Sequence, residues 1–198
     1  MRSRKNTKRL LIVIVFMLFG ISIAYAALYA SLNVTVNKVT QNVLTWKVQF
    51  DTTGSPVSAT AGGTSSTGRS CGQATVTANS VTVADTTLSK PGDSCRWTLT
   101  IKNTGTIDAK LTSITAGWPT STTCDTTTGG KLVCGNIIYK LTTDTTGNTV
   151  LPTGGVLAKS SGTLTVYLHA IFDPDANSLP TSVITQTGAK FIIHYDQL

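Results

Sequence analysis

At 198 residues the chain fits one domain plus a targeting segment, and two full domains would be crowded. The formal charge of +7 is concentrated at one end: Arg2, Arg4, Lys5, Lys8 and Arg9 hold five of the sixteen cations, and the remainder sets eleven against nine aspartates, scattered singly, which excludes a nucleic-acid surface. Glutamate is absent while Thr, Val, Ser and Gly abound, a composition that disfavours helix and favours pleated strands with short turns.

After the basic start, Leu10 to Leu28 runs for nineteen residues without a charge. Ala24-Tyr25-Ala26 supplies the small residues of a signal-peptidase site, so cleavage after Ala26 is predicted. A retained anchor helix is the alternative, because the stretch also meets the roughly 20-residue requirement for spanning a bilayer. Either way residues 1–9 stay in the cytoplasm, residues 10–28 engage the membrane at least until cleavage, and the rest is exported. A strict alternation follows: Leu28, Ala30, Leu32, Val34 and Val36 against Tyr29, Ser31, Asn33, Thr35 and Asn37, a strand with one oily face. It either opens the chain's own fold or adds to the sheet of a neighbouring subunit. The predicted organisation is therefore a signal segment over 1–26, a strand segment over 27–42 and a β-domain over 43–198.

Leu44, Trp46, Val48 and Phe50 alternate with Thr45, Lys47 and Gln49, predicting a half-buried strand anchored by an aromatic ring. The stretch from Asp51 to about Gly72 reads as a loop too polar to pack. Strands are predicted again over Ala74 to Ala84 and, after the turn Pro91-Gly92-Asp93, from Cys95 to Lys102 with Cys95, Trp97, Leu99 and Ile101 on one face. Others follow over Ile107 to Ala116, Asn136 to Thr142, Leu164 to Phe172 and Lys190 to Tyr195. Short strands at this spacing predict an all-β, jelly-roll-like antiparallel β-sandwich preceded by the apolar signal or anchor helix. About 172 residues beyond Ala26 bury roughly 70 per cent of their unfolded surface, enough for a core without help.

Cys71, Cys95, Cys124 and Cys134 all lie beyond the apolar segment, as expected of disulfides formed after export. Four cysteines allow three pairings. The favoured one joins Cys124 to Cys134 around a short TTTGG loop and Cys71 to Cys95, tying the Gly/Ser-rich loop to the strand of Trp97.

Three stretches together resemble the TasA/camelysin-like surface proteins of Gram-positive bacteria: IAYAALYASLNVTV leading into LTWKVQF, then KPGDSCRWTLTIKNTGTIDAKLTSI, then YLHAIFDPDANSLPTSVITQTGAKFIIHYDQL. The resemblance implies a jelly-roll sandwich, processing by signal peptidase, and assembly into extracellular fibres of the biofilm matrix in which one subunit's N-terminal strand, here Ala27 to Val36, completes the next subunit's sheet. The two cysteine pairs depart from that family.

No catalytic set emerges. Camelysin-like proteins have been classed as metallopeptidases, but a zinc helix of the HExxH kind needs glutamate, and the two histidines, His169 and His194, sit in predicted strands. Asp173, Asp175 and Asn177 have the oxygen spacing that opens a calcium loop, then Ser178 stands where glycine is needed and Ile184 where glutamate is needed, so a turn accounts for them. Leu151-Pro152-Thr153-Gly154-Gly155 has one residue too few for a sortase signal and is a turn. Gly20 lacks the glutamate that follows the cleavage glycine in type IV pilins as a family. The sequence thus predicts an exported structural subunit that polymerises with itself by strand addition, with no cofactor. The alternatives are a membrane-anchored monomeric binding module and a metallopeptidase.

Overall fold

The computed structural model describes residues 44–63, 68–117, 124–177, 179 and 185–198, with the backbone alone at 126–128. The chain separates after Asn42 into two units, and every described residue belongs to the second, Val43–Leu198. The export segment, Ala24 and Ala26 at its predicted cleavage site, and the alternating run Leu28 to Val36 lie outside the described residues.

The described residues form strands and no helix: β1 Val48–Phe50, β2 Thr60–Gly62, β3 Ala74–Val76, β4 Val81–Val83, β5 Ser94–Asn103, β6 Ala109–Gly117, β7 Cys124–Thr128, β8 Lys131–Cys134, β9 Ile137–Thr142, β10 Val156–Leu157, β11 Thr163–Phe172 and β12 Lys190–Gln197. Every pairing is antiparallel. A large sheet runs β1-β5-β11-β9-β8-β7, with β2 sharing an edge of β5 with β1; a small sheet runs β10-β6-β12; β3 and β4 form a separate hairpin. The fold is all-β and layered, as the composition demands.

The alternation in β5 explains the layering. Cys95, Trp97, Leu99, Ile101 and Asn103 are buried on one face, while Arg96, Thr98, Thr100 and Lys102 lie on the other. β11 repeats the pattern in register, with Val166 opposite Leu99 and Ala170 opposite Cys95, so two ten-residue strands share one apolar face. Over its middle, Leu99, Ile101, Leu141 and Val166 meet Ala109, Leu111 and Ile114 of β6 and Leu157 of β10. Over the start of β5, the β3–β4 hairpin brings Ala74 and Val83 onto Trp97 and Ala170. At the opposite margin Leu132 and the bridged cysteines of β7 and β8 pack with Ala116 and Phe191.

The disulfides are Cys71–Cys95 and Cys124–Cys134. The first ties the loop before β3 to β5 beside Trp97, and the second joins directly paired residues of the β7–β8 hairpin. In a chain-entropy account each stabilises by about 3 kcal/mol. They fit an oxidising compartment.

One expectation fails. The stretch 51–72 is not a solvated loop: it contributes β2, and Val57 and Ala59 pack into the Trp97 cluster. Val57 and Ala74 exchange both main-chain hydrogen bonds at 2.8 Å. The stretch stays in place because polar contacts hold it where apolar area is small. Asp93, 1% exposed, accepts the N–H groups of Ser89 and Lys90 at 3.0 Å each and faces the Arg69 guanidinium at 3.6 Å. The β7–β8 hairpin and β10 were likewise not predicted as strands: β7 is mostly Thr, and β8 and β10, at 4 and 2 residues, are too short for alternation to register.

Trp97 is the largest fully buried side chain, and its indole N–H donates to the Gly72 carbonyl at 2.8 Å. Trp97→Ala is expected to cost about 3–5 kcal/mol by urea unfolding. Trp97→Phe, which keeps most of the volume and orphans the carbonyl, is expected to cost about 1–3 kcal/mol.

Candidate functional site: a groove between two free strand edges

The large sheet ends at β1 and the small sheet at β12, and among the described residues neither strand has a neighbour on its outer side. β1 is longer as a ladder than as a strand. Thr106 donates to the Thr45 carbonyl and Thr104 to the Lys47 carbonyl, each at 2.9 Å, and Asp51 donates to Thr100 at 2.7 Å. Odd-numbered residues therefore bond to β5, and the main-chain groups of Trp46, Val48 and Phe50 point away from it. Phe50 N–H is taken by the Ala78 carbonyl in the β3–β4 turn at 2.8 Å. Beyond it, towards Trp46, the edge lies open. At the Phe50 end, the Lys102 ammonium clasps Asp51 at 2.9 Å, a hydrogen bond that holds the Asp51 carboxyl down to about 2.

Register with Ile101 and Asn103 turns Phe50 and Val48 to the inner face, and alternation turns Trp46 the same way. Across from them β12 turns Phe191, Ile193 and Tyr195 inward and Ile192 and His194 outward. Between the two edges lies a cleft whose apolar floor is made by Val48, Phe50, Ile101 and Ile193, of about 310 Å³ in all, and whose rim includes the polar Gln49, Asn79 and His194. Its apolar lining is incompletely covered: Trp46 is 38% exposed and Leu44, just before it, 66%. Among the described residues the buried Tyr195 hydroxyl has no hydrogen-bond partner, and burial pushes its pKa up to about 12.

A second recess, of about 420 Å³, is lined by Thr112, Ser113, Gly129, Gly130, Pro152 and Thr153 among others. A side chain on Gly129 would stand 2.6 Å from the Ile114 carbonyl, so the hairpin backbone already closes on the β6 edge there.

The remaining residues singled out in the sequence fall elsewhere. His169 lies on the large sheet and His194 on the small one, so the structure does not bring them together. Asp173 follows β11 and its carboxylate accepts the Asp175 N–H at 3.0 Å, with the Asp173 carbonyl accepting from Ala176 at 3.3 Å, which is a turn. No cluster of three metal-ligating side chains occurs among the described residues. Leu151 is buried in the main core and Gly154 donates to the Leu111 carbonyl at 2.7 Å, so the LPTGG stretch is a structural turn. Sequence reasoning marked the Trp46 side of the groove and missed Ile193 and Tyr195, although the alternation Phe191, Ile193, Tyr195 was there to be read.

No family profile, no curated protein and no solved structure matches this chain.

Tyr195→Phe removes a buried hydroxyl that is unpartnered among the described residues while keeping the ring. It is expected to raise stability by about 1 kcal/mol in urea unfolding, where loss of a satisfied hydrogen bond would lower it.

Proposed function

We propose that the chain is an exported structural subunit that polymerises by strand addition, the run Leu28 to Val36 of one copy lying along β12 of the next. The observation that carries this reading is the half-open groove with an apolar floor between two unpaired edges, in a chain whose sequence also predicts a strand with one apolar face over Leu28 to Val36. Nine residues at about 3.3 Å each span roughly 30 Å, the scale of β12. Main-chain bonds to that edge would supply affinity, and Leu28, Leu32, Val34 and Val36 laid on Trp46, Val48 and Phe50 would supply specificity. Four such side chains are worth about 6–12 kcal/mol when fully buried. Association costs about 4–15 kcal/mol, so the fit of the groove decides whether polymers form. Release of the strand requires the cut at Ala24-Tyr25-Ala26, after which the product is extracellular. The jelly-roll topology and the TasA/camelysin-like identity belong to the same proposal.

The second reading is a monomeric surface-binding module, anchored if residues 10–28 are not cut. Val48→Asp places a charge on the groove wall and separates the readings. For the exported chain we expect filaments by electron microscopy from wild type and folded monomers from Val48→Asp, with far-ultraviolet circular dichroism retained. Filaments from a chain lacking residues 27–36 would rule strand addition out.

A further inference from the structure

Away from the groove, the outer face of the large sheet carries a row of bases. Register places Arg96 of β5 opposite His169 of β11, His169 opposite Lys140 of β9, and Lys140 opposite Lys131 of β8. Directly opposed residues project to one face, so four basic side chains stand side by side at the strand spacing of about 4.8 Å. Only the imidazole among them is neutral at ordinary pH. It is also shut in: His169 is 4% exposed beneath residues 143–149, which fold back over the row from a base where Thr143 donates to Thr149 at 3.0 Å. The cover faces the cations with carbonyls. Arg96 donates to Thr145 at 2.7 Å and Lys140 to Gly147 at 3.0 Å. Gly147 sits close against the imidazole: its φ is +77°, and a side chain there would stand 3.3 Å from the ring. The cover is braced internally by the Asp144 carboxylate, which accepts the N–H groups of Thr146, Asn148 and Thr149.

We propose that residues 143–149 form an acid-released cover, latched while His169 is neutral. The Thr142 hydroxyl donates to the Asp144 carbonyl at 2.9 Å and stands 3.0 Å from His169 Nε2, tying the imidazole to the start of the cover. Nδ1 faces Gly147, and the neutral ring carries one proton. A second proton there creates a buried cation with Arg96 on one side and Lys140 on the other. Asp144 is the one carboxylate facing it among the described residues, and it is already engaged; Tyr167, on the same face, holds the Arg96 guanidinium over its ring at 5.8 Å. Burial pushes the imidazole below its ordinary 6.5, and Arg96 and Lys140 add to this, against the opposing effects of the ring's hydrogen bond to the Asp144 carbonyl and of the Asp144 carboxylate. The closed cover is therefore fully favoured above pH 6.5 and loses that favour as pH falls below it.

Hydrogen-exchange mass spectrometry of the full chain in detergent micelles, corrected for intrinsic rates, tests the latch. One linked proton allows up to about tenfold more opening per pH unit. Between pH 7 and pH 5 we expect protection of residues 143–149 to fall about tenfold while β5 stays protected. The change should follow the His169 titration, read from exchange of its Cε1 hydrogen, and His169→Gln should flatten it. Unchanged protection, the same fall in His169→Gln, or a His169 midpoint at or above 6.5 would overturn the proposal. If that variant does not fold, the two wild-type midpoints decide: coincidence supports the latch and separation refutes it.

Discussion

A wide sheet covered by a narrow one sets the terms for this fold. The inner face of the large sheet spans β1 to β7, and the small sheet has only β10, β6 and β12 to lay over it. The β3–β4 hairpin covers the end that carries Trp97, and Phe191 and Ala116 cover the margin at β7 and β8. What is left is the inner face of β1, where Trp46 stays 38% exposed. Apolar surface in that state costs about 25 cal/mol per Å² left in water. The groove is thus a consequence of unequal sheets, and it lies beside β12, which has no strand on its outer side among the described residues.

β12 also bears the marks of a managed edge. Lys190 stands at its start and Asp196 near its end, and the register shifts between His194 and Tyr195, a bulge that twists a strand away from flat pairing. Such devices discourage indiscriminate edge-to-edge association while leaving room for a strand of matching shape. The base row lies on the outer face of the large sheet and is covered by the chain's own loop carbonyls, with Asp144 as the local acid.

Much of the fold was legible because period-two alternation is strong where one face is buried. β5 and β11 are the plain cases, each with Val, Leu or Ile against Thr, Lys or Arg. β2 and the packed stretch around Val57 were not legible, because small residues fill a small space and polar contacts such as Arg69 with Asp93 do the holding. The groove was half legible: Trp46, Val48 and Phe50 announce an apolar face, but nothing local says that Ile193 and Tyr195 stand across from it. The surroundings of His169 were not legible at all, since its partners come from β5, β9 and a loop, and register is a property of the folded sheet.

The central claim is that an apolar strand from one copy fills this groove on another. Its most direct measurement is photo-crosslinking from a reactive side chain at Leu32 in material assembled from equal parts of light and heavy isotope-labelled subunits, with the captured residues read by mass spectrometry. The account predicts crosslinks to β12 or to the Trp46–Phe50 edge, about half of them joining a light subunit to a heavy one. Crosslinks joining only like-labelled partners, or none reaching either edge, would contradict it.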